Sequence, residues 1–168
     1  ALANNFIAAH KFNIGRSLAD KVSIKLAEKL KNERIILPID VVVAKKFSSQ
    51  EAVVKKVNQV DKSDMILDIG PRTVKLYAKY IKKARTIIWN GPMGYFENEH
   101  FKHGTLAIAR LVASRSTGSA FGVVGGGETV EALTMTKMID YVDWVSTGGG
   151  AMLAFLAGER MPGLEGIV

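Results

Sequence analysis

The sequence predicts an α/β fold: three layers, with a mainly parallel, doubly wound sheet and helices on both faces. Three observations carry this. Runs of strand length rich in Val and Ile recur along the chain, segments with helical periodicity separate them, and glycine-rich turns fall where strand gives way to helix.

The elements follow in order. Ala1-Leu2-Ala3-Asn4-Asn5-Phe6-Ile7-Ala8-Ala9 has no polar lead or cap and reads as a helix entered partway along, so the sheet is expected to be incomplete on its N-terminal side. Leu18, Val22, Leu26 and Leu30, with Ala19 and Ala27 beside them, recur at helical spacing and predict a helix over residues 16–31. Residues 34–43 form a β-branched run typical of a strand buried on both faces, with Pro38 marking an irregularity. Within residues 44–61, the stretch from Glu51 to Val57 reads either as a polar helical turn or as a short edge strand.

Met65 to Ile69 is a strand, followed by a helix over residues 72–83 whose apolar positions are Val74, Tyr77, Ala78 and Ile81. Thr86 to Trp89 is the next strand, and the helix after its loop is built on Phe101, Ile108, Leu111 and Val112. Strands over residues 120–124 and 142–145 lead to helices after Gly127 and Gly150. Ligands of open parallel sheets settle beyond the carboxyl ends of the strands. Asp68-Ile69-Gly70-Pro71, Asn90-Gly91-Pro92-Met93-Gly94 and both triple glycines are expected at that rim.

A chain of 168 residues, 48% hydrophobic, has enough apolar surface for one core and reads as a single domain over residues 1–168. Its net charge of +7 favours anionic ligands and is compatible with nucleic acid or an acidic membrane surface. The basic run over residues 79–85 closes a helix, where cations complement the dipole, and no aromatic ladder accompanies it. With no cysteine, disulfides and thiolate metal sites are excluded. No apolar run approaches the roughly 20 residues of a membrane span and no signal peptide is recognisable, so a soluble, cytoplasmic protein is expected.

Chemistry concentrates in Gly125-Gly126-Gly127 and Gly148-Gly149-Gly150, each between an apolar strand-like run and a helix-like one. Glycine lets the backbone approach a ligand closely, and the unpaired amides of a helix start attract anions, so two such cradles point to a polyphosphate tail. Neither the Gly-x-x-x-x-Gly-Lys-Ser/Thr loop nor the Gly-x-Gly-x-x-Gly/Ala fingerprint is present. Glu128 either caps the following helix or offers a hard oxygen to Mg²⁺ among phosphates. Thr129 and Thr147 either cap turns or donate to phosphate. Glu97, after Phe96, is a solvated loop acid or a ribose contact. His10, His100 and His103 show no partner spacing and read as surface residues; Trp89 and Trp144 read as core aromatics.

Trp89-Asn90-Gly91-Pro92-Met93-Gly94-Tyr95-Phe96-Glu97, then Gly125-Gly126-Gly127-Glu128-Thr129, then Ser146-Thr147-Gly148-Gly149-Gly150-Ala151 stand in an order that resembles the phosphoglycerate kinase family. Ile14-Gly15-Arg16-Ser17-Leu18, Leu67-Asp68-Ile69-Gly70-Pro71 and the stretch from Leu156 to Gly163 extend the likeness over essentially the whole chain. The resemblance implies a Rossmann-like, C-terminal nucleotide-binding domain of a two-domain glycolytic enzyme, truncated on its N-terminal side and without the N-terminal domain that holds phosphoglycerate. It implies phosphoryl transfer between 1,3-bisphosphoglycerate and MgADP, giving 3-phosphoglycerate and MgATP.

By the same resemblance, Leu18, Leu67, Pro92 and Tyr95 border adenine, Glu97 binds the ribose and Asn90 approaches the phosphates. Glu128 holds Mg²⁺, while Thr129 and the amides of Gly126, Gly127, Gly149 and Gly150 surround the transferring group, Gly127 and Gly150 nearest to it. Glu128 stands where the family commonly has Asp, Ile66 where it has Gly, and Tyr95 where it has a small aliphatic residue. The phosphate-binding lysines of the family's Gly-Gly-x-Lys segment fall before Ala1. This chain alone is therefore expected to bind adenine nucleotide weakly, to be inactive and to self-associate at its open sheet edge, whereas the parent is expected to be a monomer. The competing reading is a basic anion- or nucleic-acid-binding module without catalysis.

Overall fold

The computed structural model describes residues 1–30 and 34–165, and the fold is α/β, with a parallel three-strand sheet flanked by helices. These residues gather into two compact units. One comprises residues 1–80 and 93–108; the other comprises residues 81–92 and those from Ala109 onward.

The first unit opens with α1 (Leu2–Ala9) and α2 (Lys21–Lys29). α2 begins later than the apolar periodicity suggests, because the Asp20 side chain accepts the Ser23 amide at 2.8 Å and caps the helix there. Residues 16–19 are thereby left outside the helix, and Lys31, its expected end, lies outside the described residues.

The strands β1 (Asp40–Ala44), β2 (Val53–Lys56) and β3 (Met65–Ile69) pair in the order β2-β1-β3, and both pairings are antiparallel. β2 realises the edge-strand alternative for residues 51–57. The antiparallel sense differs from the parallel sheet expected from alternation, and for β1 and β2 its cause is the connection. A parallel partner needs a crossover of a dozen or more residues, usually helical, whereas residues 45–52 only turn the chain back. Ile7, Val41, Val43, Val57 and Val60 form one buried cluster, and Ala44, Met65, Leu67 and Phe101 form another. Phe101, expected within a helix, is fully buried just before one.

α3 (Pro71–Ile81) starts with Pro, whose missing N–H costs nothing at the first helical position. The Asp40 carboxylate accepts the next two amides, Arg72 at 3.0 Å and Thr73 at 2.7 Å. At the far end, Tyr77 donates its hydroxyl to the Ile36 carbonyl at 3.1 Å.

In the second unit β4 (Thr86–Asn90), β5 (Phe121–Gly125) and β6 (Trp144–Ser146) form a parallel sheet in that order. The helix α4 (His103–Ser116) contributes residues to both units, and its crossover from β4 to β5 permits the parallel pairing. Arg115 near its end donates to the Ala84 carbonyl at 3.1 and 3.2 Å. α5 (Gly127–Met135) and α6 (Gly149–Leu156) follow β5 and β6. Trp89 is buried, but Trp144 is 64% exposed and is not a core aromatic. It stands on β6, one of the two outer strands of the sheet.

Candidate functional site

In the second unit the carboxyl ends of the three parallel strands come level. Asn90 is in register with Gly125, and Gly125 with Ser146. Beyond that row both glycine bends turn into helices and meet each other. The Gly126 amide donates to the Ser146 carbonyl at 3.0 Å, and the Asn90 side chain donates to the Gly149 carbonyl at 3.1 Å.

A Cβ on Gly149 would lie 2.7 Å from the Gly126 Cα, and Gly126 itself has φ +88°, so both positions require glycine. Gly127 and Gly150, one residue further, face open space in the direction a side chain would take. Within α5 the Gly126 carbonyl takes the amides of Thr129 and Val130 at 3.1 and 3.0 Å. The amides of Gly127 and Glu128, like those of Gly149 and Gly150, belong to the first turn, where no intrahelical acceptor exists. This edge presents main-chain donors and the positive ends of two helix dipoles, suited to an anion.

The polar residues of the sequence motifs divide on inspection. Glu128 is exposed in the first turn of α5. Among the described residues no group of three or more His, Cys, Asp or Glu side chains could hold a metal ion, so a cation here would take most of its oxygens from a ligand and water. Thr129 is buried, and its hydroxyl accepts the Gly91 amide at 2.7 Å, fixing the turn that follows β4. Thr147 is exposed, and Pro92 is half-buried in the turn after Gly91.

In the first unit, the loop carrying Tyr95 and Glu97 is tied to β3. Tyr95 donates its amide to the Leu67 carbonyl at 2.7 Å, and Thr105 Oγ1 accepts the amides of Met93 and Gly94 at 3.1 Å each. Any side chain at Gly94 would overlap the Leu67 carbonyl and the Asp68 carboxyl. Leu67 is buried, Glu97 is exposed, and Leu18 is 64% exposed with its carbonyl taking the Asn4 amide group at 3.0 Å. The lead to Leu18 lies along β3: Ile66 donates its amide to Ser17 Oγ at 2.8 Å, and Arg16 donates its own to the Asp64 carbonyl at 2.7 Å. Leu18, Leu67 and Tyr95 are thus anchored, directly or through a neighbour, on one strand. His10, His100 and His103 are all exposed, as expected.

Two residues to which sequence reasoning gave no individual role belong to this neighbourhood. Phe47 meets the Tyr95 ring edge-on at 5.1 Å, and Asn98 holds the Phe47 carbonyl at 2.9 Å. Asp68 is buried beneath Gly94, accepting the amides of Gly104 at 2.6 Å and Ile69 at 2.8 Å. Burial pushes its carboxyl up to about 7, against the two amides, which favour the charged form. Its place in Leu67-Asp68-Ile69-Gly70 was the available signal for Asp68, whereas nothing local in the sequence pairs Phe47 with Tyr95.

A sequence model of the phosphoglycerate kinase family matches residues 1–159. The phosphoglycerate kinase of Chloroflexus aggregans is 41% identical over 173 aligned residues that take in 99% of this chain and 43% of the relative. Among solved structures, the phosphoglycerate kinase of Coxiella burnetii is similar at a TM-score of 0.89 and 40% identity, over 98% of this chain and 43% of that one. That of Pyrococcus horikoshii OT3 gives 0.78 and 36%, over 97% and 42%. The chain spans less than half the length of each of these relatives.

Proposed function

The chain belongs to the phosphoglycerate kinase family, and from that premise we propose that its paired glycine bends hold the phosphates of ADP or ATP for reversible transfer of a phosphoryl group from 1,3-bisphosphoglycerate to ADP, giving 3-phosphoglycerate and ATP. The reaction is the glycolytic one, in the cytoplasm. The single observation supporting the phosphate role is the meeting of Gly126 and Gly149 at the carboxyl edge of the parallel sheet, with the Asn90 side chain bonded to the Gly149 carbonyl.

Phosphoryl transfer asks a protein for position and for compensation of charge rather than for covalent chemistry. The amides of Gly127, Gly149 and Gly150 serve both needs, because main-chain donors fixed at two helix starts do not reorganise as charge moves onto the equatorial oxygens, whereas the Gly126 amide, expected among them, is committed to the Ser146 carbonyl. Gly127 and Gly150, whose Cα faces are open, stand nearest the transferring group. Asn90 orients the cradle, and Thr129 holds the Gly91-Pro92 turn. Leu18, Leu67, Pro92 and Tyr95 are assigned to the base, and Glu97 to the ribose hydroxyls. Glu128 is the carboxylate available to Mg²⁺, which when bound neutralises phosphate charge; a cation taking one carboxylate and otherwise phosphate and water oxygens fits this donor set.

Titration calorimetry with ADP, with and without Mg²⁺, on the wild-type chain and Glu128→Gln tests the assignment. Mg²⁺ should strengthen ADP binding to the wild type but not to the variant, while ADP alone binds both equally. A variant that keeps the full Mg²⁺ effect would remove Glu128 from the metal site.

A further inference from the structure

The first unit contains a cleft that none of these roles uses. It encloses about 380 Å³, within the few hundred to a thousand Å³ usual for small-molecule sites. Ile7, Phe12, Pro38 and Val57 give it an apolar floor, and His10, Lys56 and Arg72 stand around it. Phe12 is 46% exposed, an aromatic surface left open beside two cations.

The charges are uncommitted. Lys55 is spent on Asp61 and Asp64 at 2.5 and 2.6 Å, whereas Lys56 follows it on β2 and therefore points to the opposite face of the strand. Among the described residues neither Lys56 nor Arg72 uses its side chain in a hydrogen bond or ion pair. Arg72 is nevertheless placed firmly, since its amide is held by Asp40 at the start of α3. His10 keeps one ring nitrogen on the Phe6 carbonyl at 2.8 Å, so the ring is oriented. A lysine on an edge strand can serve only to deter strand pairing, but that role accounts neither for Arg72 nor for the open apolar floor.

We propose that this cleft binds a small amphipathic anion, an arylalkyl carboxylate, with its hydrocarbon on the Phe12 and Pro38 floor and its carboxylate between Lys56 and Arg72. Charge supplies the specificity, because an apolar floor alone would take a neutral molecule of the same shape equally well.

The test uses 4-phenylbutyrate as probe, with 4-phenylbutan-1-ol and butyrate as the uncharged and truncated comparisons, followed by amide NMR shifts on the 168-residue chain. Binding of 4-phenylbutyrate should saturate, with shifts centred on residues 7–12, 37–39, 56–58 and 72, and the other two should bind at least about tenfold more weakly. Lys56→Glu combined with Arg72→Glu should weaken 4-phenylbutyrate at least about tenfold with no change in melting temperature, and saturating MgADP should leave its affinity unchanged. Absence of saturation, equal binding of the alcohol, shifts centred elsewhere or displacement by MgADP would each overturn the proposal. Should the double variant unfold, Lys56→Gln and Arg72→Gln replace it, and wild-type affinity in both would overturn the proposal as well.

Discussion

The buried carboxyl of Asp68 accepts the amide of Gly104 at 2.6 Å, at the first turn of α4. This bond joins β3 to the far end of the loop that carries Tyr95 and Glu97, and the same carboxyl underlies Gly94 at the near end. A single acid thus supports that loop at both ends.

Its titration should appear in stability. Burial raises the folded carboxyl from an ordinary 3.8 to about 7, so between those values the folded state binds more protons than the unfolded chain and stability falls as pH rises. The full decline is up to about 4 kcal/mol, at 1.36 kcal/mol per pH unit. Urea unfolding from pH 4.5 to 8 should show the decline in the wild type and a flatter profile in Asp68→Asn. An unchanged slope in the variant would place the titration elsewhere.

Asp64 should act in the opposite direction and at lower pH. Burial raises its carboxyl, but ion pairs with Lys45 and Lys55, both at 2.6 Å, and the Asp61 amide outweigh that and hold it at about 2. Its contribution is present above the unfolded value of 3.8 and is lost as pH falls through about 2. Asp64→Asn should cost about 1–3 kcal/mol at pH 6 by replacing the charge-assisted bonds of a buried carboxylate to Lys45 and Lys55 with neutral ones, and acid titration monitored by circular dichroism should show a weaker loss between pH 4 and 2. A variant as stable as the wild type at pH 6 would contradict this.

The meeting of the glycine bends predicts a contrast between neighbours. Gly149→Ala places a methyl group 2.7 Å from the Gly126 Cα, where only backbone can yield, and should cost about 1–3 kcal/mol in chemical denaturation. Gly150→Ala meets nothing within 4 Å and should be neutral or stabilising by up to about 1 kcal/mol through helix propensity. Equal costs for the two would show that the bends do not touch.

Phe47 bears on the base. Its ring stands edge-on to Tyr95, an arrangement worth about 0.5–1.5 kcal/mol. Phe47→Ala should therefore weaken ADP several-fold in fluorescence titration while leaving the affinity for inorganic pyrophosphate, which has no base, unchanged. Equal weakening of both ligands would mean that the substitution disturbs the whole fold.

Much of this was legible in the sequence, and the reasons for the remainder are physical. The strands before Gly70, Gly91 and the two triple glycines, and the helices after them, follow from periodicity, because β-branched runs and helical spacing are local properties. The antiparallel sense of β1 and β2 is set by residues 45–52, too short for a crossover, which could have been read as a return. Asp20 was likewise visible as a helix cap ahead of Ser23. Trp89 and Trp144 look alike in sequence and both stand on outer strands of the sheet, so only the tertiary packing over each ring separates the buried one from the exposed one. The contacts of Thr129 with Gly91 and of Phe47 with Tyr95 join residues 38 and 48 positions apart in sequence, a distance over which local pattern carries no information.

The open face of Gly127 is where the account is most exposed to test. Gly127→Val adds a branched side chain toward space that holds no protein atom within 4 Å, so the melting temperature should stay close to that of the wild type while MgADP affinity falls at least about tenfold in titration calorimetry, more than 1.4 kcal/mol. A variant that folds normally and binds MgADP with wild-type affinity would contradict the assignment of the glycine bends to the nucleotide phosphates.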